Sequence, residues 1–121
     1  MKLILPTLTV AAAMFTSTAS AADPADLQKL KDTGACVKCN LAGANLSGAG
    51  LSGANLMFAN LELANLRNAN LTGAFLRGAN LEGANLASAD LTGAFMRGTY
   101  MVEVLFCNTI MPDGSVIYSG C

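Results

Sequence analysis

Histidine and tryptophan are absent from this 121-residue chain, tyrosine occurs twice and phenylalanine five times. The lack of His excludes a Ser-His-Asp triad, a Cys-His pair and any imidazole metal site. Charge is equally scarce: seven Lys and Arg stand against eight Asp and Glu, a formal net charge of -1. That balance is too weak and too mixed for the electrostatic footprint of a nucleic-acid binder. No close carboxylate pair recurs at a defined spacing, and Gly43, Gly48, Gly53, Gly73, Gly78, Gly83, Gly93 and Gly98 share one repeat position instead of forming a phosphate loop. No catalytic, cofactor-binding or metal-ligating residue is therefore expected. What is plentiful is small and aliphatic: 53% of the chain is hydrophobic, and the length allows one domain.

The first residues read as an export signal. Lys2 is a positive n-region, Leu3 to Phe15 an apolar h-region, and Ala19-Ser20-Ala21 a small-x-small cleavage site. Residues 1–21 are expected to be removed, since the apolar run is shorter than the roughly 20 residues that span a bilayer. No stable membrane span then remains. The expected location is an exported compartment, the periplasm first, with secretion or a thylakoid lumen as the other destinations.

From residue 41 an aliphatic residue returns every five positions: Leu41, Leu46, Leu51, Leu56, Leu61, Leu66, Leu71, Leu76, Leu81, Leu86, Leu91, Met96 and Met101. Two positions before each stands a small residue, Cys39, then Ala44 to Ala94 in steps of five, then Thr99. Between them Asn prevails, as at Asn45, Asn55, Asn60, Asn65, Asn70, Asn80 and Asn85. On an α-helix five steps of about 100° leave successive Leu about 140° apart, so no single apolar face forms. On a strand an odd period alternates between faces. A chain that bends once per pentad keeps every Leu inside: four pentads make a square lap, and residues twenty apart stack at about 4.8 Å. The Leu and the preceding small residue fill the lumen, and the other three positions face water.

These units resemble the pentapeptide-repeat family, whose pattern is Ala, then Asp or Asn, then Leu, then two variable residues. The match covers residues 39–103. The resemblance implies an all-β solenoid, a right-handed quadrilateral β-helix of about three coils. Gly50, Phe75, Phe95 and Tyr100 depart from the Asn, and after Met101 the pattern fails at Glu103-Val104-Leu105, so an irregular last coil is expected.

Open coil ends need covers. In residues 22–38, Asp23 reads as an N-cap, Pro24 as N1 and Gly34 as the stop of a short helix that lids the first coil with Leu27 and Leu30. In residues 104–121, Met111-Pro112-Asp113-Gly114 reads as the turn of a hairpin between Thr109-Ile110 and Val116-Ile117-Tyr118. The ending from Cys107 to Cys121 also looks like that of exported pentapeptide-repeat proteins.

Four Cys permit three pairings. The two ends lie roughly 15 Å apart over three coils, beyond the about 7 Å that a bridge tolerates. Disulfides Cys36–Cys39 and Cys107–Cys121 are therefore expected, and a four-thiolate zinc site meets the same distance objection. A thiol-redox role of Cys36 and Cys39 stays as an alternative, without the βαβ pattern that surrounds such a motif in thioredoxin-like proteins.

The outer faces hold the candidate interaction residues. Residues twenty apart stack, so Phe75 meets Phe95 and Arg77 meets Arg97, with Met57 and Phe58 one lap earlier. Aromatic rings beside guanidinium groups, at positions otherwise held by Asn, make a strip suited to a protein partner. In the other reading the rings only cover backbone and the Arg pair answers Glu62 and Glu82. A non-enzymatic structural or interaction module follows, with an unidentified protein partner or a homo-oligomer open. A DNA-mimicking, topoisomerase-binding role, known among related cytosolic proteins, needs a dense acidic surface. The repeats offer Glu62, Glu82, Asp90 and Glu103 against Arg67, Arg77 and Arg97.

Overall fold

The computed structural model describes residues 21–121, so all but the last residue of the expected leader lie outside the described part. The first element is α1, Pro24–Thr33. Asp23 starts it: its extended backbone and its carboxylate, which accepts the Ala25 N–H at 2.8 Å, satisfy a donor that the first turn leaves unpaired. Gly34 ends it in the left-handed region, with φ 71°, and donates its N–H to the Leu30 carbonyl. Leu30 is buried in the same cluster as the repeat leucines, and Leu27 packs against that cluster.

The rest is built from parallel bridges between residues twenty apart. They define four sides: side 1 carries Ala35, Asn55, Phe75 and Phe95, and side 2 carries Asn40, Asn60, Asn80 and Tyr100. Side 3 carries Asn45, Asn65, Asn85 and Leu105, and side 4 carries Gly50, Asn70, Asp90 and Ile110. Each bridge uses two bonds. On side 2 the Leu61 N–H donates to the Asn80 carbonyl at 2.7 Å, and the Asn80 N–H donates to the Ala59 carbonyl at 3.0 Å. The chain then turns a corner closed by a third bond, Ala64 N–H to the Leu61 carbonyl at 3.0 Å. The third residue of that turn has positive φ in every pentad, as a type II turn requires. Glycine supplies it at Gly43, Gly48 and Gly53, but Phe58, Leu63, Asn68 and Ser88 adopt the same conformation.

Inside, the central side chains stack as four columns, with Leu41, Leu61 and Leu81 in one and Leu46, Leu66 and Leu86 in the next. The central leucines, every fifth residue from Leu41 to Leu91, are all buried. Because an Ala precedes most of these Leu by two positions, large and small side chains alternate around a narrow lumen.

Two expectations are corrected. The register of the coil continues after Met101, since Leu105 bridges Asn85 and Ile110 bridges Asp90, so Val104-Leu105-Phe106 and Thr109-Ile110-Met111 occupy the three repeat positions, and the expected irregularity is confined to the corners, where Val104 and Thr109 do not make the backbone bond that Ala64 makes to Leu61. The fold asks for volume and a satisfied polar group, not for Ala and Leu by name. Thr109 is fully buried in the small-residue position because its hydroxyl donates to the Leu86 carbonyl at 2.7 Å, and Thr99 does the same to Leu76. The repeat also begins earlier than residue 39, since Ala35 bridges Asn55 and Cys36 takes the central position above Leu56. The coil accordingly has four rungs on each side, where about three laps are expected from residues 39–103. Second, the Asn positions do not simply face water. Most are half-buried, and the Asn60 side-chain oxygen accepts the Glu62 N–H at 3.0 Å, a bond repeated at Asn45, Asn55, Asn65, Asn70, Asn80 and Asn85.

The tail carries β1, Thr109–Ile110, and β2, Val116–Ile117, which pair antiparallel with Thr109 opposite Ile117 and Ile110 opposite Val116. β1 is at once a rung of the coil and half of the hairpin.

Candidate interaction surface

Side 1 differs from the others in what it shows to solvent. Where a pentad holds Asn, the side chain folds back on its own turn and leaves little apolar surface. Phe75 and Phe95 cannot accept that bond, so their rings extend outward and lie on one another, with centroids 4.9 Å apart and planes 8° from parallel. They remain 40% and 56% exposed. A parallel pair held at the lap spacing presents a wider aromatic surface than either ring alone, and ordering is already complete before any partner arrives.

The structure distributes the other candidate residues around this pair. Arg77 and Arg97 follow on the corner between sides 1 and 2, both exposed, and Met57 is half-buried one lap before Arg77. Phe58 does not extend the stack. It sits at the corner with φ 59°, and its ring lies over Gly78, where a Cβ would come within 2.4 Å of ring carbons. Part of the backbone-covering alternative thus applies to Phe58. Leu63 does the same over Gly83 on the next corner and is 68% exposed. Its signal in the sequence is a Leu at a position where other pentads hold Gly. On the corner between sides 4 and 1, Ser52 and Thr72 share a hydroxyl–hydroxyl bond of 2.8 Å.

Further apolar exposure gathers near the end of the coil, at Tyr100, Val102, Leu105, Val116 and Tyr118. Sequence reading misses this group because Val102 and Leu105 lie where the pattern weakens.

The cysteines occupy repeat positions. Cys36 takes a central and Cys39 a small-residue position, both buried, with Cα atoms 5.3 Å apart and sulfurs at bonding distance. Cys107 and Cys121 are likewise joined, with Cα atoms 4.9 Å apart. Among the described residues no group of His, Cys, Asp or Glu gathers as a metal site would, and no helix is long and apolar enough to cross a membrane. In the tail turn, the Ser115 hydroxyl and then the Ser115 amide donate to Asp113 and hold its carboxyl below the usual aspartate range.

The model of the family of pentapeptide repeats matches residues 36–73 and 64–101, with eight copies. The chain belongs to the pentapeptide-repeat family. Membership carries the right-handed quadrilateral β-helix, and pentapeptide-repeat proteins are generally structural or interaction modules. Among solved structures, a pentapeptide repeat protein (Rfr23) from the cyanobacterium Cyanothece 51142 is 41% identical with a TM-score of 0.57, over 58% of this chain and 48% of that one. A pentapeptide repeat protein of the Arabidopsis thaliana thylakoid lumen is 26% identical with a TM-score of 0.49, over 69% and 61%. The chain therefore spans about half the length of the first and less than two thirds of the second. A comparison with curated proteins returns no match.

Proposed function

We propose that this pentapeptide-repeat chain is a non-enzymatic interaction module of an exported compartment, and that it holds a protein partner on side 1. The coil acts as a rigid post, with α1 packed on its first lap and the tail beneath sides 3 and 4 at its finish, the tail fastened by Cys107–Cys121. The observation that carries the reading is the Phe75–Phe95 stack. Two rings stand outward where Asn would have satisfied the turn, and the chain forgoes a local hydrogen bond at each site to show them. With Arg77 and Arg97 alongside, the matching partner presents apolar or aromatic side chains flanked by carboxylates. The leader read in residues 1–21 and the two disulfides support an oxidising, exported location.

The double variant Phe75→Asn/Phe95→Asn separates recognition from folding. Asn restores the turn acceptor for the amides of residues 77 and 97, so thermal stability is expected to stay the same or rise. Capture of proteins from the exported fraction is expected to fall at least tenfold, about 1.4 kcal/mol by the affinity relation. Unchanged capture by the variant overturns the assignment of side 1.

A further inference from the structure

Where α1 lies over the coil it takes the place of a missing lap. On side 2 the Asn40 carbonyl accepts the Asp23 N–H at 2.9 Å, and the Asn40 N–H donates to the Asp26 carboxylate at 2.8 Å. On sides 3 and 4 nothing does the same. The Asn45 and Gly50 amides and the carbonyls of Asn45, Ser47 and Gly50 have no partner among the described residues, although the equivalent groups of Asn65, Arg67 and Asn70 are all bonded to the lap above. A cavity of about 470 Å³ lies at this edge, lined by Leu46, Ala49, Gly50 and Leu51 of the coil and by Leu30 and Lys31 of α1. Ala49 is half-buried there, whereas the small residues from Ala54 to Ala89 in steps of five are all buried, so the lumen is incompletely closed at this point. The open groups are those that an extended main chain satisfies, above an aliphatic floor and beside the exposed cation of Lys31.

We propose that the first lap captures an extended peptide segment of another protein, which adds half a lap over sides 3 and 4. The existing ladder dictates the chemistry of that segment. One lap lower, the Asn65 N–H donates to the Ala44 carbonyl and the Asn65 carbonyl accepts the Leu46 N–H. Asn70 does the same with Ala49 and Leu51, and the Arg67 carbonyl accepts from Gly48 at the corner. A segment that repeats these bonds above Asn45 and Gly50 carries two small residues five apart and, two positions after each, an aliphatic one. Its corner residue is Gly or Asn, because the corner takes positive φ, as at Gly48 and Asn68. Leucines at another spacing cannot lie over Leu46 and Leu51 while the main chain bonds the edge. A helical or purely apolar ligand covers the floor and leaves the amides and carbonyls unpaired. Lys31 favours an acidic residue on the outward face of the segment. The Phe75–Phe95 stack lies on side 1, so this site is independent of the one proposed there.

The probe is the peptide ANLASADLTG, acetylated and amidated, which has the sequence of residues 84–93, runs along sides 3 and 4 two laps below the cavity and carries an acid at the position of Asp90. With this peptide at about 1 mM, hydrogen exchange at the Asn45 and Gly50 amides of the folded protein is expected to slow about threefold or more. The Gly98 and Met101 amides, at the other open edge, are expected to stay unchanged. Equal slowing at both edges, or none at either, overturns the proposal, as does equal binding by a peptide of the same composition with its leucines at another spacing. Amides of Asn45 and Gly50 already protected in the free protein would mean that the chain itself holds the edge, and protection that grows with protein concentration alone that a second copy does; either result overturns it. Gly50→Pro removes one donor at an edge position where proline is tolerated, so thermal melting is expected to be unchanged while peptide affinity falls about tenfold or more. Lys31→Glu is expected to weaken the peptide about threefold, and a peptide with Lys in place of its Asp to regain that loss on the variant. If the variant still prefers the acidic peptide, the segment does not lie beside Lys31 and the proposed placement fails.

Discussion

At the corner before side 2 a single missing carbon atom matters twice. Gly78 needs positive φ, which costs an L side chain about 1–2 kcal/mol in the left-handed region, and its open face holds the Phe58 ring. Gly93 needs the same φ, but the nearest atom to an added Cβ there is 4.0 Å away. Gly78→Ala is therefore expected to destabilise by about 1–3 kcal/mol more than Gly93→Ala, since overpacking adds to strain. Removing the ring restores the difference: Gly78→Ala in a Phe58→Gly background is expected to cost no more than Gly93→Ala. Denaturant melts of the four variants measure this, and equal costs for the two glycine substitutions contradict the ring placement. The glycine corners are legible in the sequence as one residue type at one position. The corners at Phe58 and Leu63 are not, because their backbone conformation is imposed by the pentads on either side and not by their own preference.

At the scale of elements, α1 and the tail differ in how they are held. α1 carries its own caps, so its limits could be read from Asp23, Pro24 and Gly34 alone. The tail has two residues in each strand, too few for an isolated hairpin to persist in water. Its closure depends on the coil rung at Ile110 and on the Cys107–Cys121 bond. Loop entropy gives about 3 kcal/mol for a ring of roughly 15 residues. Cys107→Ser/Cys121→Ser is thus expected to lower unfolding free energy by about that amount, with early loss of amide protection confined to residues 107–121. Simultaneous loss over the repeats contradicts a separately fastened tail. The extent of the coil was the least legible feature here. Val104, Phe106, Thr109 and Met111 fill repeat positions with unfamiliar residues, and only the twenty-residue register, which no local pattern reveals, places them.

At the scale of the whole molecule one number governs everything: residues meet when they are twenty apart. The Phe75–Phe95 stack, the hydroxyl bond from Ser52 to Thr72 and the placing of Cys36 above Leu56 are consequences of that lap. The sequence shows the five-residue period directly, so the aliphatic core is readable. Which exposed side chains matter is less so, because outward positions carry no packing constraint that would mark them.

The most direct test is to remove one lap and compare it with a cut matched to the other regular period. Deleting residues 60–79 joins Ala59 to Asn80 and keeps every column intact, whereas deleting residues 60–77 removes 18 residues, which is five turns of an α-helix at about 3.6 residues per turn. Circular dichroism during thermal unfolding is expected to show, for the first, a spectrum with little helix and one cooperative transition, and for the second a loss of cooperative folding. A first deletion that melts no better than the second, or a mainly helical spectrum for the intact protein, contradicts the twenty-residue lap.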